Sequence, residues 1–172
     1  MIRWLDFSGA PPLLIPKRLV GHWRGAISPL TGKYSELNAK EPHTDYDRAC
    51  AAAWPGRGVL PLAESTALVL YSEFDEHTWV QDRALVACGS WLPTDEELQC
   101  AVWSDPLTWE VSDTDFLLMN SAASGAEGLR DDDFLEVHLS PGKYIIEYSS
   151  IEATYVGCFH RFQRTGAVPS AA

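Results

Sequence analysis

From residue 58 onward the chain is a succession of short apolar segments separated by polar turns. They read "GVLPL", "TALVLYS", "TWVQ" and "RALVACGSW", then "TWEV", "DFLLMNS", "DFLEVHL", "KYIIEYSSI" and "YVGCFHRFQ". Segments of this length, bounded by turn formers, are strands of an antiparallel sheet. "SPG" sets Pro141 and Gly142 between two of them, where a fixed φ and a residue without Cβ suit a tight turn. One interruption is helical: Thr94 and Glu97 in "TDEE" make a capping box that opens a helix over roughly 94–102. The pattern predicts an α+β fold, mostly antiparallel β with one or two short helices.

The first 57 residues are less regular. "IRWLDF" alternates apolar and polar residues as a half-buried strand does. "SGAPP" breaks it, and "LLI" reads as a short second strand. "PKRLVGHW" suits about two helical turns with Pro16 near the first position, and Gly25 follows as a stop. Residues 26–43 are polar and rich in turn formers, so they read as a long surface loop. In "TDYDRAC", residues 44–50, Thr44 and Asp47 fit a second capping pattern, and Asp45 and Asp47 fall in a first turn that favours carboxylates. "ACAAAW" continues this helix until Pro55 and Gly56 end it. "TGAVPSAA" is a frayed tail.

A length of 172 residues suits a single domain, 1–172. An internal echo divides it. "ALVLYS" and "ALVACGSWL" enclose one acidic loop, and "DFLLMNS" and "DFLEVHL" enclose another. Two similar β-units packed together, as halves 1–104 and 105–166, would give that echo.

Thirteen Lys and Arg face 24 Asp and Glu, a formal charge of −11. That balance disfavours nucleic acid and anionic membranes, both of which need a basic patch. It suits a basic partner drawn in by electrostatic steering. No apolar run approaches the length of a membrane span, and the N-terminus has no signal-peptide pattern. The four cysteines, Cys50, Cys88, Cys100 and Cys158, have no CxxC spacing and read as reduced thiols of a cytoplasmic protein.

Catalytic chemistry is hard to find in the residues. There is no nucleophile elbow and no phosphate loop. "CFH" sets Cys158 and His160 on one strand face, but alternation gives that to any such pair, and packing is the simpler reading. "RDDD", residues 130–133, reads as a solvated loop before an apolar strand. His43 with Asp45 and Asp47 offers a metal corner on a loop. Three classes stay open at this point. They are a binding protein, a metal-dependent hydrolase using Asp45, Asp47, Asp131 and Asp133, and a non-catalytic scaffold or oligomer.

The order of local motifs resembles the immunity protein 21 family of bacterial polymorphic toxin systems. Trp4, Ser8, Gly9, Pro12, Trp23, Gly25 and "DYDRAC", with Asp45, Tyr46, Asp47, Arg48 and Cys50, carry the match. Ala10 stands where the family pattern has a second Gly, which loosens the turn expected there. "WEV", "DFLEVHLSPGKYIIEY" and "FHRF" resemble the family's second half. The resemblance implies a cytoplasmic antitoxin that binds a cognate toxin domain, with no cofactor and no catalysis. An acidic surface suits a basic toxin, a nuclease being one candidate. The "DYDRAC" string then reads as structural, with Tyr46 and Cys50 facing the core together and Asp45 paired to Arg48. Two acidic loops are the candidate contact surface: Glu73, Asp75 and Glu76 with Phe74 and Trp79 as anchors, and Glu127, Asp131, Asp132 and Asp133. If the halves are repeats, both loops lie at one sheet edge.

Overall fold

The computed structural model describes residues 1–166 except 29, 33, 36–42, 54–55 and 153–155. Its strands are β1 (Leu5–Asp6), β2 (Pro12–Pro16), β3 (Arg57–Pro61), β4 (Thr66–Leu70), β5 (Glu76–Val80), β6 (Leu85–Cys88), β7 (Leu107–Val111), β8 (Asp115–Asn120), β9 (Phe134–His138), β10 (Gly142–Glu152) and β11 (Val156–Gly166). The α-helices are α1 (Asp45–Ala53), α2 (Asp95–Cys100) and α3 (Gly125–Asp131), with 3-10 turns at Lys17–His22 and Gln81–Arg83. Six strands form one sheet in the order β1-β5-β6-β11-β10-β7, and five form a second in the order β3-β4-β2-β8-β9. The α+β, mostly antiparallel fold read from the sequence is what the chain adopts.

The two sheets stack face to face. Leu14, Leu68, Phe116 and Leu118 of the smaller sheet meet Val86, Cys88, Trp109 and Ile146 of the larger one in the main core. The alternate residues of β2, β4 and β8 are buried too. Leu13, Ile15, Val69, Leu117 and Met119 pack beneath Val20, Trp23, Ala49 and Ala53. Covering on both faces explains why "LLI", "ALVL" and "FLLM" are continuous apolar runs rather than alternating ones. On the opposite side of the molecule, Leu85, Ala87 and Phe159 pack under Trp91, Leu98 and Trp103, and α2 lies there. In the central strand β2, Leu13 and Leu14 pair with β4, and Pro12 and Pro16 stand opposite Asn120 and Phe116 of β8. Pro12 and Pro16 sit at its ends, where a missing N–H costs least.

Several local expectations change. Among the described residues the longest helix is α1, with nine residues against six in α2, the helix expected over 94–102. The span expected to be an acidic loop around "EGLRDDD" is the helix α3. Ser8 and Gly9 both have positive φ, and Ala10 N–H donates to Phe7 O at 2.9 Å. This is a tight two-residue turn, so it is not loosened by Ala10, whose own position needs no positive φ. The two packed β-units are the two sheets, and each draws strands from both halves of the chain. β4 and β8 flank β2, whereas β6 and β9, which follow them in the sequence echo, lie in different sheets. Much of the expected 26–43 loop and the tail beyond residue 166 lie outside the described residues; Ile27 and Tyr34 of that loop form a β-bridge.

Candidate functional site

The "TDYDRAC" stretch ties three parts of the chain together. Thr44 Oγ1 accepts from Asp47 N–H and Asp47 Oδ2 accepts from Thr44 N–H, both at 3.0 Å, a reciprocal cap at the start of α1. Asp47 also takes the His43 N–H and the Ser35 hydroxyl. Burial pushes the Asp47 carboxyl up, but these hydrogen bonds outweigh it and hold it below its ordinary value. Asp45 accepts from Arg24 N–H at 2.8 Å and pairs with Arg48 at 3.1 Å, and Arg48 donates to Pro61 O at 3.0 Å. One face of α1 thereby reaches β3 and the segment after Trp23.

The core face of this helix differs from the expected one. Ala49 and Ala53 are the buried residues. Tyr46 and Cys50 are only half-buried and hydrogen-bond to each other. Partial burial, with that contact, pushes the Tyr46 phenol up to about 12. Small alanines let the helix sit close to the sheet, where Tyr46 would not fit.

The reciprocal cap gives a measurable expectation. Thr44→Ala removes one side of it and should cost about 1 kcal/mol, or a Tm drop of about 2–4 °C at this chain length. Asp47 contributes stability above the ordinary carboxylate pKa of 3.8. That contribution is lost as pH falls through its lower folded value. The Tm gap between Asp47→Asn and the parent chain should therefore narrow in strong acid, as read by melting curves across pH.

Beside α1 lies a pocket of about 230 Å³. Ile15, Leu19, Trp23 and Leu62 give it an apolar lining, and Asp45 and Arg48 line it as an already neutralised pair. Motif residues therefore shape a surface hollow as well as a helix anchor.

The acidic residues meet elsewhere, through β1. Asp6 stands opposite Glu76 in the β1–β5 pairing, and Phe7 N–H donates to Asp75 O at 2.7 Å. On the other side of β1, Arg3 pairs with Asp132 at 3.3 Å. Burial raises the Asp133 carboxyl, opposed by Arg3 and reinforced by Asp6, Asp131 and Asp132. Asp75, Glu76 and 131–133 thus share one edge with Asp6, which no local pattern brings into the set. Several of the named residues also have local duties. Glu73 lies near Tyr148 and Cys158. Glu127 completes a capping box with Ser124. Asp131 pairs with Arg130 at 2.9 Å. Phe74 and Trp79 are half-buried against the main core, with Trp79 edge-on to Phe162 at 5.2 Å.

No metal corner forms at His43, Asp45 and Asp47, since the two carboxylates are directed to a cap and to an ion pair. Among the described residues, the ligating side chains that do converge are Cys88, Cys158 and His160, whose donor atoms lie within 4.8 Å of one another. Cys88 and Cys158 are opposed across β6 and β11. They are 70 positions apart in sequence, so no spacing motif announces them.

Residues 3–156 match the family model described as immunity protein 21. No curated protein and no solved structure matches the chain.

Proposed function

This chain belongs to the immunity protein 21 family, and from that premise we propose that it is a cytoplasmic antitoxin that neutralises a cognate toxin domain by binding it. Neutralisation is by occlusion and uses no catalysis and no cofactor. The toxin is basic, and the contact surface is the acidic edge around β1. The observation that carries the reading is the meeting of Asp6, Asp75, Glu76 and Asp131–Asp133 on one edge of a chain whose formal charge is −11. Clustered carboxylates raise the encounter rate with a basic partner and make it salt-dependent. A nuclease is the toxin class this suits best, because its substrate groove expects anionic phosphates. No helix among the described residues is long and apolar enough to cross a membrane.

The test uses two variants, Asp75→Asn with Glu76→Gln, and Asp131→Asn with Asp132→Asn. Association with the cognate toxin is followed by stopped flow at low and moderate salt. Each variant should associate about tenfold more slowly at low salt, with a flatter salt dependence and unchanged circular dichroism. Wild-type kinetics in both would remove the acidic edge from the account and direct attention to residues 26–43.

A further inference from the structure

We propose that Cys88, Cys158 and His160 form a buried structural site for a thiophilic divalent cation, zinc by its chemistry, which clamps β6 to β11 beneath the β4–β5 connection. Cys88 and Cys158 face one another as direct partners on adjacent strands. His160 follows two residues along β11, so its side chain shares their face. All three are at most 1% exposed, and their donor atoms lie within 4.8 Å of one another. Ligands of a tetrahedral ion bound at ordinary zinc distances are about 3–4 Å apart, so only small adjustments are needed.

The imidazole is set up for ligation. Its Nε2 lies 3.1 Å from the Tyr71 carbonyl. With that nitrogen donating, Nδ1 carries the ring's lone pair, and it is buried without a hydrogen-bond partner. A ligating histidine is held in this way, one nitrogen on a carbonyl and the other on the metal. The ring that converges with the two thiols thus keeps one buried nitrogen without a partner. Ser72 Oγ, 3.2 Å from Cys158 Sγ, offers an oxygen for a fourth position.

Charge selects the ion. Two thiolates and a neutral imidazole carry −2, which a divalent cation cancels. A monovalent cation would leave a net charge in a dry interior, which is costly. Binding converts two thiols and M²⁺ into the dithiolate complex and releases two protons. No electron transfer is involved. Because the trio is closed to solvent, the ion enters as the chain folds.

The full chain is refolded under reducing conditions with zinc, desalted and measured by elemental mass spectrometry. One zinc per chain is expected, and its removal by a chelator should lower Tm by about 5–10 °C. Cys158→Ser should lose the zinc and the exposed Cys100→Ser should keep it. Should Cys158→Ser fail to fold, cobalt loading of the wild-type chain decides, since ligation by Cys88 and Cys158 gives a thiolate-to-cobalt charge-transfer band. Substoichiometric zinc with a Tm indifferent to zinc and chelator would overturn the site. So would stoichiometric zinc in folded Cys158→Ser, a Cys88–Cys158 disulfide under these conditions, or cobalt loading without the band.

Discussion

Gly25→Ala should destabilise this protein by about 3–5 kcal/mol, a large share of the roughly 5–15 kcal/mol that holds a domain folded. Two effects combine. Gly25 has a φ of +64°, and a residue with a Cβ pays about 1–2 kcal/mol to adopt that conformation. The added carbon would also lie 2.6 Å from the Ala123 carbonyl carbon and closer still to Ala122 O. Those atoms are backbone and cannot swing aside. Moving them strains the bonds from Ala26 N–H to Ala122 O and from Gly125 N–H to Trp23 O, both 2.9 Å. The α1 anchor goes with them, since Tyr46 N–H donates to Gly25 O. Gly9→Ala isolates the conformational part. Gly9 also has positive φ, at +78°, but open space where a Cβ would be, so its loss should be about 1–2 kcal/mol. Equal losses in urea unfolding would show that crowding at Gly25 contributes nothing.

The second large effect is at Trp23. Its ring is 3% exposed and fills the space between the smaller sheet and the helices over it. Its Nε1–H donates to Ser121 O at 3.0 Å, a buried bond. Trp23→Ala leaves a cavity and should cost about 3–5 kcal/mol. Trp23→Phe keeps most of the volume but orphans the Ser121 carbonyl, for about 1–3 kcal/mol. Full stability of Trp23→Phe would mean that the hydrogen bond is immaterial. Gly25 and Trp23 support one junction, so the double variant should lose less than the sum of the two.

Local sequence signals account for most of the elements. The Thr94–Glu97 box and the Thr44–Asp47 cap both form where residue chemistry put them. A third box was equally readable. Ser124 and Glu127 in "SGAE" have the same spacing and open α3, although the acidic run after them has the composition of a loop. On α1, Tyr46 and Cys50 are the larger apolar groups, but close approach to the sheet puts Ala49 and Ala53 on the core face.

Strand pairing could not be read at all. The approach of Asp75 and Glu76 to 131–133 depends on the two-residue strand β1, not on any repeat. The Cys88–Cys158 contact depends on β6 lying beside β11. Both are consequences of topology, and single-sequence patterns carry little of it. Gly25 looks like a helix stop in the sequence, whereas its position is fixed by backbone atoms almost 100 residues away.

The central claim is that this chain inactivates a toxin by binding it. The direct measurement is activity of the cognate toxin domain titrated with the purified chain. Activity should fall linearly to zero at one chain per toxin domain, with a 1:1 complex on size-exclusion chromatography. Full toxin activity at a large excess of folded chain would contradict the account.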